Sequence, residues 1–203
     1  ELGGRMLERG EYRSQGYFYG PFRSFNPSIK DLDKYKIVLV LRDPRDVIVS
    51  SYFSMYSHVM PQLAGEREGE IRRERRDKKL QQLPVDDYIV RKLKSTNRLN
   101  DVYLEYAKHL LGKPNVLYLK YEDMVTDFDP WLERLTQFLD LDLSPEKLQE
   151  IRDKASFKVG KEDVKKHKRQ VIPGEHKRKL KPETIDFLNN YTKEVLDLFN
   201  YKK

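Results

Sequence analysis

The chain contains no cysteine, which excludes disulfides, thiolate metal sites and cysteine nucleophiles and makes a reducing, cytoplasmic compartment the simplest expectation. No stretch approaches the ~18 consecutive apolar residues of a membrane-spanning helix, so no transmembrane segment is expected. The start, Glu1-Leu-Gly-Gly-Arg5, has neither an initiator methionine nor a signal-peptide pattern, and the chain reads as a fragment. Glycine is sparse, 10 residues in 203, and no Walker loop is present, which leaves a phosphoryl-transferring kinase little support. The four histidines, His58, His109, His167 and His176, are scattered without ligand spacing, so no metal site is expected.

What is present is enough for one folded domain over residues 1–203, with 38% hydrophobic and 11% aromatic residues. A charged fraction of 36% and a net charge of +7 favour an anionic ligand without saying which. The aliphatic run Ile37-Val-Leu-Val-Leu41 predicts a strand buried on both faces, as in a parallel sheet, and Val116-Leu-Tyr-Leu119 predicts a second. Between them Leu99, Val102, Tyr103, Tyr106, Leu110 and Leu111 recur at helical spacing, with Gly112 and Pro114 as the stop. Strand, helix, strand implies a βαβ crossover and an α/β class, a parallel sheet flanked by helices. Ser144-Pro145-Glu146 opens a further helix, and Lys181-Pro182-Glu183 begins an amphipathic C-terminal one through Phe187, Tyr191, Val195 and Phe199; both are expected in the outer layer. The charged stretch Glu66 to Lys79 reads as an exposed helix or lid. Lys158 to Lys179 reads as a long basic loop that crosses a surface.

The segment Leu41-Arg-Asp-Pro-Arg-Asp-Val-Ile-Val-Ser50 places a helix start directly after the first strand. Asp43 suits the N-cap, Pro44 the first helical position, and Asp46 the returning half of a capping box. Such a turn lies at the carboxyl edge of an open sheet, where α/β proteins bind ligands. There Arg42 projects a planar fork beside free helix amides, and Ser50, two turns along, offers a hydroxyl, an arrangement suited to phosphate. The residues alone leave a second reading open, in which Arg42 pairs with Asp46 and Ser50 bonds back within its helix.

Arg42-Asp-Pro-Arg-Asp-Val-Ile-Val-Ser-Ser-Tyr-Phe53 resembles the 3'-phosphate-binding signature of the PAPS-dependent sulfotransferases. The resemblance implies a P-loop-kinase-like sulfotransferase fold in which Arg42 and Ser50 hold the 3'-phosphate of the donor. Val116-Leu-Tyr-Leu-Lys-Tyr-Glu-Asp-Met124 resembles the strand of that family ending in Tyr-Glu-Asp, which implies Tyr121 near the adenine. Ala155-Ser-Phe157 resembles its Thr-Ser-Phe, which implies that Phe157 contacts the adenine while the polar contact at Ala155 is lost. Arg169-Gln-Val-Ile-Pro-Gly-Glu-His176 resembles the Arg-Lys-Gly-x-x-Gly-Asp-Trp loop that closes on the 3'-phosphate; Arg169 and Gly174 match, whereas Gln170, Val171 and His176 depart.

The resemblance implies a sulfotransferase that moves a sulfuryl group from PAPS to a hydroxyl or amine of a small-molecule or glycan acceptor, leaving PAP. The glycine-rich 5'-phosphosulfate loop of the family has no counterpart here, so the chain is expected to be the C-terminal portion of an N-terminally incomplete domain. In cytosolic members a histidine before the arginine motif deprotonates the acceptor; Tyr19 stands at that place, and His58, two turns beyond Ser50, is the other candidate base. Two rivals remain: a catalytically inactive PAP- or PAPS-binding module, and a basic nucleic-acid-binding domain using Arg72 to Lys79 and Lys161 to Lys179. The second is disfavoured because aromatic residues do not interleave with the basic runs, so no nucleic-acid partner is expected. Oligomeric state is left open.

Overall fold

The computed structural model describes residues 18–29, 31–57, 83–155 and 172–202. Strands β1 (Ile37–Leu41) and β2 (Val116–Lys120) pair in parallel, with Ile37 opposite Val116 and Leu41 opposite Lys120. The chain leaves β1 into helix α1 (Pro44–Ser57) and reaches β2 through α2 (Val85–Ser95) and α3 (Arg98–His109). After β2 come α4 (Tyr121–Thr126), α5 (Phe128–Phe138), α6 (Pro145–Ala155), α7 (Glu175–Lys179), α8 (Pro182–Tyr191) and α9 (Lys193–Leu198). The α/β class with a parallel sheet flanked by helices is therefore as the sequence implies.

Alternation along the strands sorts the side chains into two layers. Leu39 and Leu41 face Tyr103 and Tyr106 of α3 and Val195, Leu196 and Phe199 at the C-terminus. On the other face Val38, Leu117 and Leu119 pack on Trp131 and Leu132 of α5. Each buried aliphatic side chain of this kind stabilises the fold by roughly 1.5–3 kcal/mol relative to exposure. Val40 shares that second face yet is 43% exposed. The expectation of a strand buried on both faces therefore holds in part: on one face Leu39 and Leu41 are buried and Ile37 half-buried, and on the other Val38 is half-buried and Val40 exposed.

Helix ends follow their residues. Leu110 ends the α3 ladder by bonding Tyr106 O, and Gly112 turns the chain at φ 79°, a left-handed conformation that disfavours other residues. The Ser144 hydroxyl accepts from the Lys147 amide at the start of α6, as its N-cap position predicts. The C-terminal helix is different from expectation. It breaks at Thr192, whose hydroxyl donates to Leu188 O at 2.7 Å, and splits into α8 and α9. Its most buried residues are Leu188, Val195, Leu196 and Phe199, so this region is core and not outer layer. Helix α6, with no buried residue, is the true outer helix.

Candidate functional site

The register places the site. With Leu41 opposite Lys120, the next residues, Arg42 and Tyr121, emerge together at the carboxyl edge of the sheet. The Arg42 guanidinium carbon stands 5.1 Å from the centre of the Tyr121 ring. A cation over an aromatic face is held by roughly 0.5–2 kcal/mol, more when water is excluded. Burial pushes the Tyr121 hydroxyl pKa up, partly offset by Arg42.

The backbone of this turn is locked from three sides. Asp43 caps α1 by accepting the Arg45 amide at 2.9 Å. Its own amide donates to Glu122 Oε1 at 2.8 Å, and the Tyr103 hydroxyl donates to Arg42 O at 2.5 Å. Glu122 thus takes the role that the capping box would have given Asp46, because the parallel register brings the first turn of α4 against the first turn of α1. Burial pushes the Glu122 carboxyl pKa up, against the pull of the Asp43 amide. Arg45, 1% exposed, forks onto Asp43 at 3.0 and 2.6 Å and reaches Asn189 Oδ1 and Lys202 O, each at 2.6 Å. That network ties α1 to α8 and to the C-terminal residues.

Asp46 turns to the segment 172–176 instead of to its own helix. Fully buried, it accepts the Gly174 amide at 2.7 Å, the His176 amide at 2.9 Å and the His176 ring Nδ1 at 2.6 Å. Burial by itself would raise the Asp46 pKa; the His176 bonds and the Arg42 charge outweigh it and hold the carboxyl well below the usual range. Gly174 adopts φ 77°, the left-handed geometry that aims its amide at Asp46.

Arg42 sits between two buried carboxylates, with Nη2 3.7 Å from Asp46 Oδ2 and 3.7 Å from Glu175 Oε2. Both distances exceed a hydrogen bond. Among the described residues the guanidinium makes no hydrogen bond, and its Nε is buried without a partner. The ion-pair reading of Arg42 is therefore right about attraction, but the donors of the fork are not spent on it. The other half of that reading fails: Ser51 and Ser54 bond back to Ile48 O and Ser51 O, whereas the hydroxyl of half-buried Ser50 has no hydrogen bond among the described residues. A cation stacked on an aromatic ring beside a helix start, making no hydrogen bond to the two carboxylates that flank it, still has donors to offer an oxyanion.

Of the residues singled out from sequence, Arg42, Ser50, Tyr121 and Gly174 fall on these connected elements. Tyr19 is half-buried beside the cis Gly20–Pro21 peptide. His58, Phe157 and Arg169 lie outside the described residues. Sequence reasoning missed Tyr103, Glu122, Glu175 and the partnership of Asp46 with His176. Glu122 stood in the quoted Tyr-Glu-Asp, but nothing in one dimension pairs it with Asp43, 79 positions away. Two open clefts lie elsewhere, one between α2 and the start of α8 lined by Asp86, Arg91 and Lys181, the other along Asn100, Tyr191 and Asp197. Their linings mix charges of both signs and include none of the residues above. Among the described residues no cluster suited to a metal and no helix long and apolar enough to cross a membrane occurs.

Residues 19–200 match the sulfotransferase domain family. The chain is 30% identical over 175 residues to luciferin sulfotransferase of Photinus pyralis, covering 83% of this chain and 40% of that one. It is 27% identical over 177 residues to sulfotransferase 2A6 of Mus musculus, covering 82% and 54%. In structure it is similar to mouse sulfotransferase SULT7A1, solved in complex with PAP, with a TM-score of 0.56 at 19% identity over 81% of this chain and 60% of that one. The chain spans about half the length of the curated relatives it matches.

Proposed function

The chain belongs to the sulfotransferase domain family, and on that premise we propose that it binds the 3'-phosphoadenosine end of PAPS and takes part in sulfuryl transfer to a small-molecule hydroxyl or amine. The observation that carries the reading is the Arg42 guanidinium, stacked on Tyr121 at the carboxyl edge of the sheet with its Nε unpartnered and its ion pairs to Asp46 and Glu175 longer than hydrogen bonds. The residues fit the nucleotide: Arg42 and the Ser50 hydroxyl would hold the 3'-phosphate, Tyr121 would lie by the adenine, and Gly174 would bring its loop to the same phosphate. Phe157 and Arg169 complete the proposed donor site. The nucleotide supplies the sulfuryl group; the acceptor oxygen or nitrogen bonds to sulfur, the bond from sulfur to the 5'-phosphate oxygen breaks, and the acceptor proton goes to a base.

For that base we keep His58, with Tyr19 second. A neutral imidazole near pH 7 accepts a proton far more readily than a phenol whose ordinary pKa is ~10. The names of the relatives, a luciferin sulfotransferase and a 3-alpha-hydroxysteroid sulfotransferase among them, support a small organic acceptor over a glycan. We take residues 1–203 as a single unit of that domain, working in the cytoplasm.

Calorimetric titration with PAP tests the donor site. Wild type is expected to bind, and Arg42→Ala to lose roughly 10- to 100-fold in affinity, the worth of a charge-assisted bond of about 1.5–3 kcal/mol. Absence of PAP binding by the wild-type chain overturns the reading. Binding with no transfer of labelled sulfate, even when the chain is extended to the length of its relatives, would favour the inactive nucleotide-binding module.

A further inference from the structure

We propose that His176 is a positioning residue for the donor nucleotide, acting through Asp46 to set the Gly174 segment and the Arg42 guanidinium in one arrangement. The inference rests on the nucleotide reading above and assigns a residue to it that the family pattern does not supply, since the loop this segment resembles carries tryptophan where this chain has His176.

Burying a carboxylate is costly unless its charge is compensated. Asp46 has no exposed surface, and a charge in that position persists only when donors replace the water it has lost. All three of its short hydrogen bonds come from one segment, and they divide unequally between the two oxygens. Oδ1 receives both the amide and the ring Nδ1 of His176, at 2.9 and 2.6 Å. Oδ2 receives the Gly174 amide at 2.7 Å and faces Arg42 Nη2 at 3.7 Å. The carboxylate is therefore held by His176 on one oxygen and by the Gly174 amide on the other, and that second oxygen also faces the Arg42 guanidinium proposed to meet the phosphate.

Two of the three donors are backbone amides, which any residue would supply; the ring is the contribution specific to His176. Its Nε2 is buried without a partner among the described residues. In a neutral imidazole the single proton then belongs on Nδ1, where it has an acceptor. The same docking carries Glu175 to 3.7 Å from Arg42, so the guanidinium is centred between two carboxylates and not drawn onto one. From outside, Arg178 grips the approach to Gly174, donating to Pro173 O at 2.7 Å and Ile172 O at 3.0 Å. Loss of the ring donor would leave a turn still clamped by Arg178, but with Oδ1 of Asp46 held by the His176 amide alone and the carboxylate less firmly set against Arg42.

The test compares PAP dissociation constants of the wild-type chain, His176→Asn, His176→Gln and His176→Phe, with amide hydrogen exchange over residues 172–180 in the same proteins. Asparagine places an N–H close to the position of Nδ1, glutamine reaches past it, and phenylalanine keeps bulk without a donor. His176→Asn should bind PAP within about 3-fold of wild type. The Gln and Phe variants should bind roughly 10- to 100-fold more weakly, with faster exchange at Gly174 and His176. Should the Phe variant fail to fold, the Asn and Gln pair still separates donor position from bulk. Equal PAP affinity across the folded variants overturns the inference, and so does equal weakening in Asn and Gln, which would make the ring a packing element only. A wild-type chain that does not bind PAP sinks the nucleotide reading itself and this role with it, a result distinct from tight binding throughout the series.

Discussion

Replacing Arg45 by methionine tests whether the α1 start is held by its buried ion network or merely decorated by it. Arg45 is 1% exposed and satisfies Asp43, Asn189 Oδ1 and Lys202 O through four donor contacts of 3.0 Å or less. Methionine fills similar volume but leaves the Asp43 carboxylate, itself buried, without its charge partner and strands two acceptors. Breaking a buried pair in this way costs about 3–5 kcal/mol. For a domain of this size that corresponds to a fall in Tm of roughly 6–20 °C. The double variant Asp43→Asn/Arg45→Met removes the uncompensated charge as well and should recover part of the loss, with a coupling of about 0.5–3 kcal/mol in the four-protein cycle. Urea unfolding followed by far-ultraviolet circular dichroism measures all four proteins. Lys147→Ala, which removes an exposed ion pair with Glu150 worth about 0–1 kcal/mol, sets the floor. If Arg45→Met costs no more than that control, the reasoning that the network holds the α1 start is refuted.

Asp46 has its folded pKa depressed, so the stability it contributes is present at neutral pH and is lost as pH falls below about 4; Asp46→Asn should lower stability at pH 7 and flatten that acid limb in urea titrations. Glu122 has the opposite sign: its folded pKa is raised by burial, so it costs stability as pH rises above the ordinary carboxylate value, and Glu122→Gln should show a smaller loss between pH 4 and pH 8 than wild type while keeping an acceptor for the Asp43 amide. Tyr103→Phe, which leaves Arg42 O without its donor, should cost about 0.5–1.5 kcal/mol in the same unfolding assay. Ser50→Ala, whose hydroxyl has no bond to lose among the described residues, should leave unfolding unchanged within about 0.5 kcal/mol while weakening PAP binding; equal PAP affinity would remove Ser50 from the proposed site.

The elements legible in one dimension were those written in local residues. Strand β1 follows from five consecutive aliphatic residues, α3 from apolar spacing closed by Gly112, and the α1 start from Asp43 and Pro44. Arg42 and Tyr121 were legible as candidates because each stands directly after a strand. Their meeting was set by a parallel register that aligns Leu41 with Lys120. The break at Thr192 escaped the periodicity because apolar phase alone does not register a local departure from helical backbone at one buried threonine whose hydroxyl bonds back to Leu188 O.

What the chain determined by itself is therefore the inventory: two strands, the helix start between them, and an arginine and a tyrosine at the strand ends. Only the tertiary structure decided how the charges are shared. Asp46 binds a segment 130 positions away instead of capping its own helix, because folding brings two amides and an imidazole closer to its carboxylate than the Asp43 amide, which Glu122 has already taken. A buried charge settles on the donors that surround it in space, and sequence order does not contain that neighbourhood.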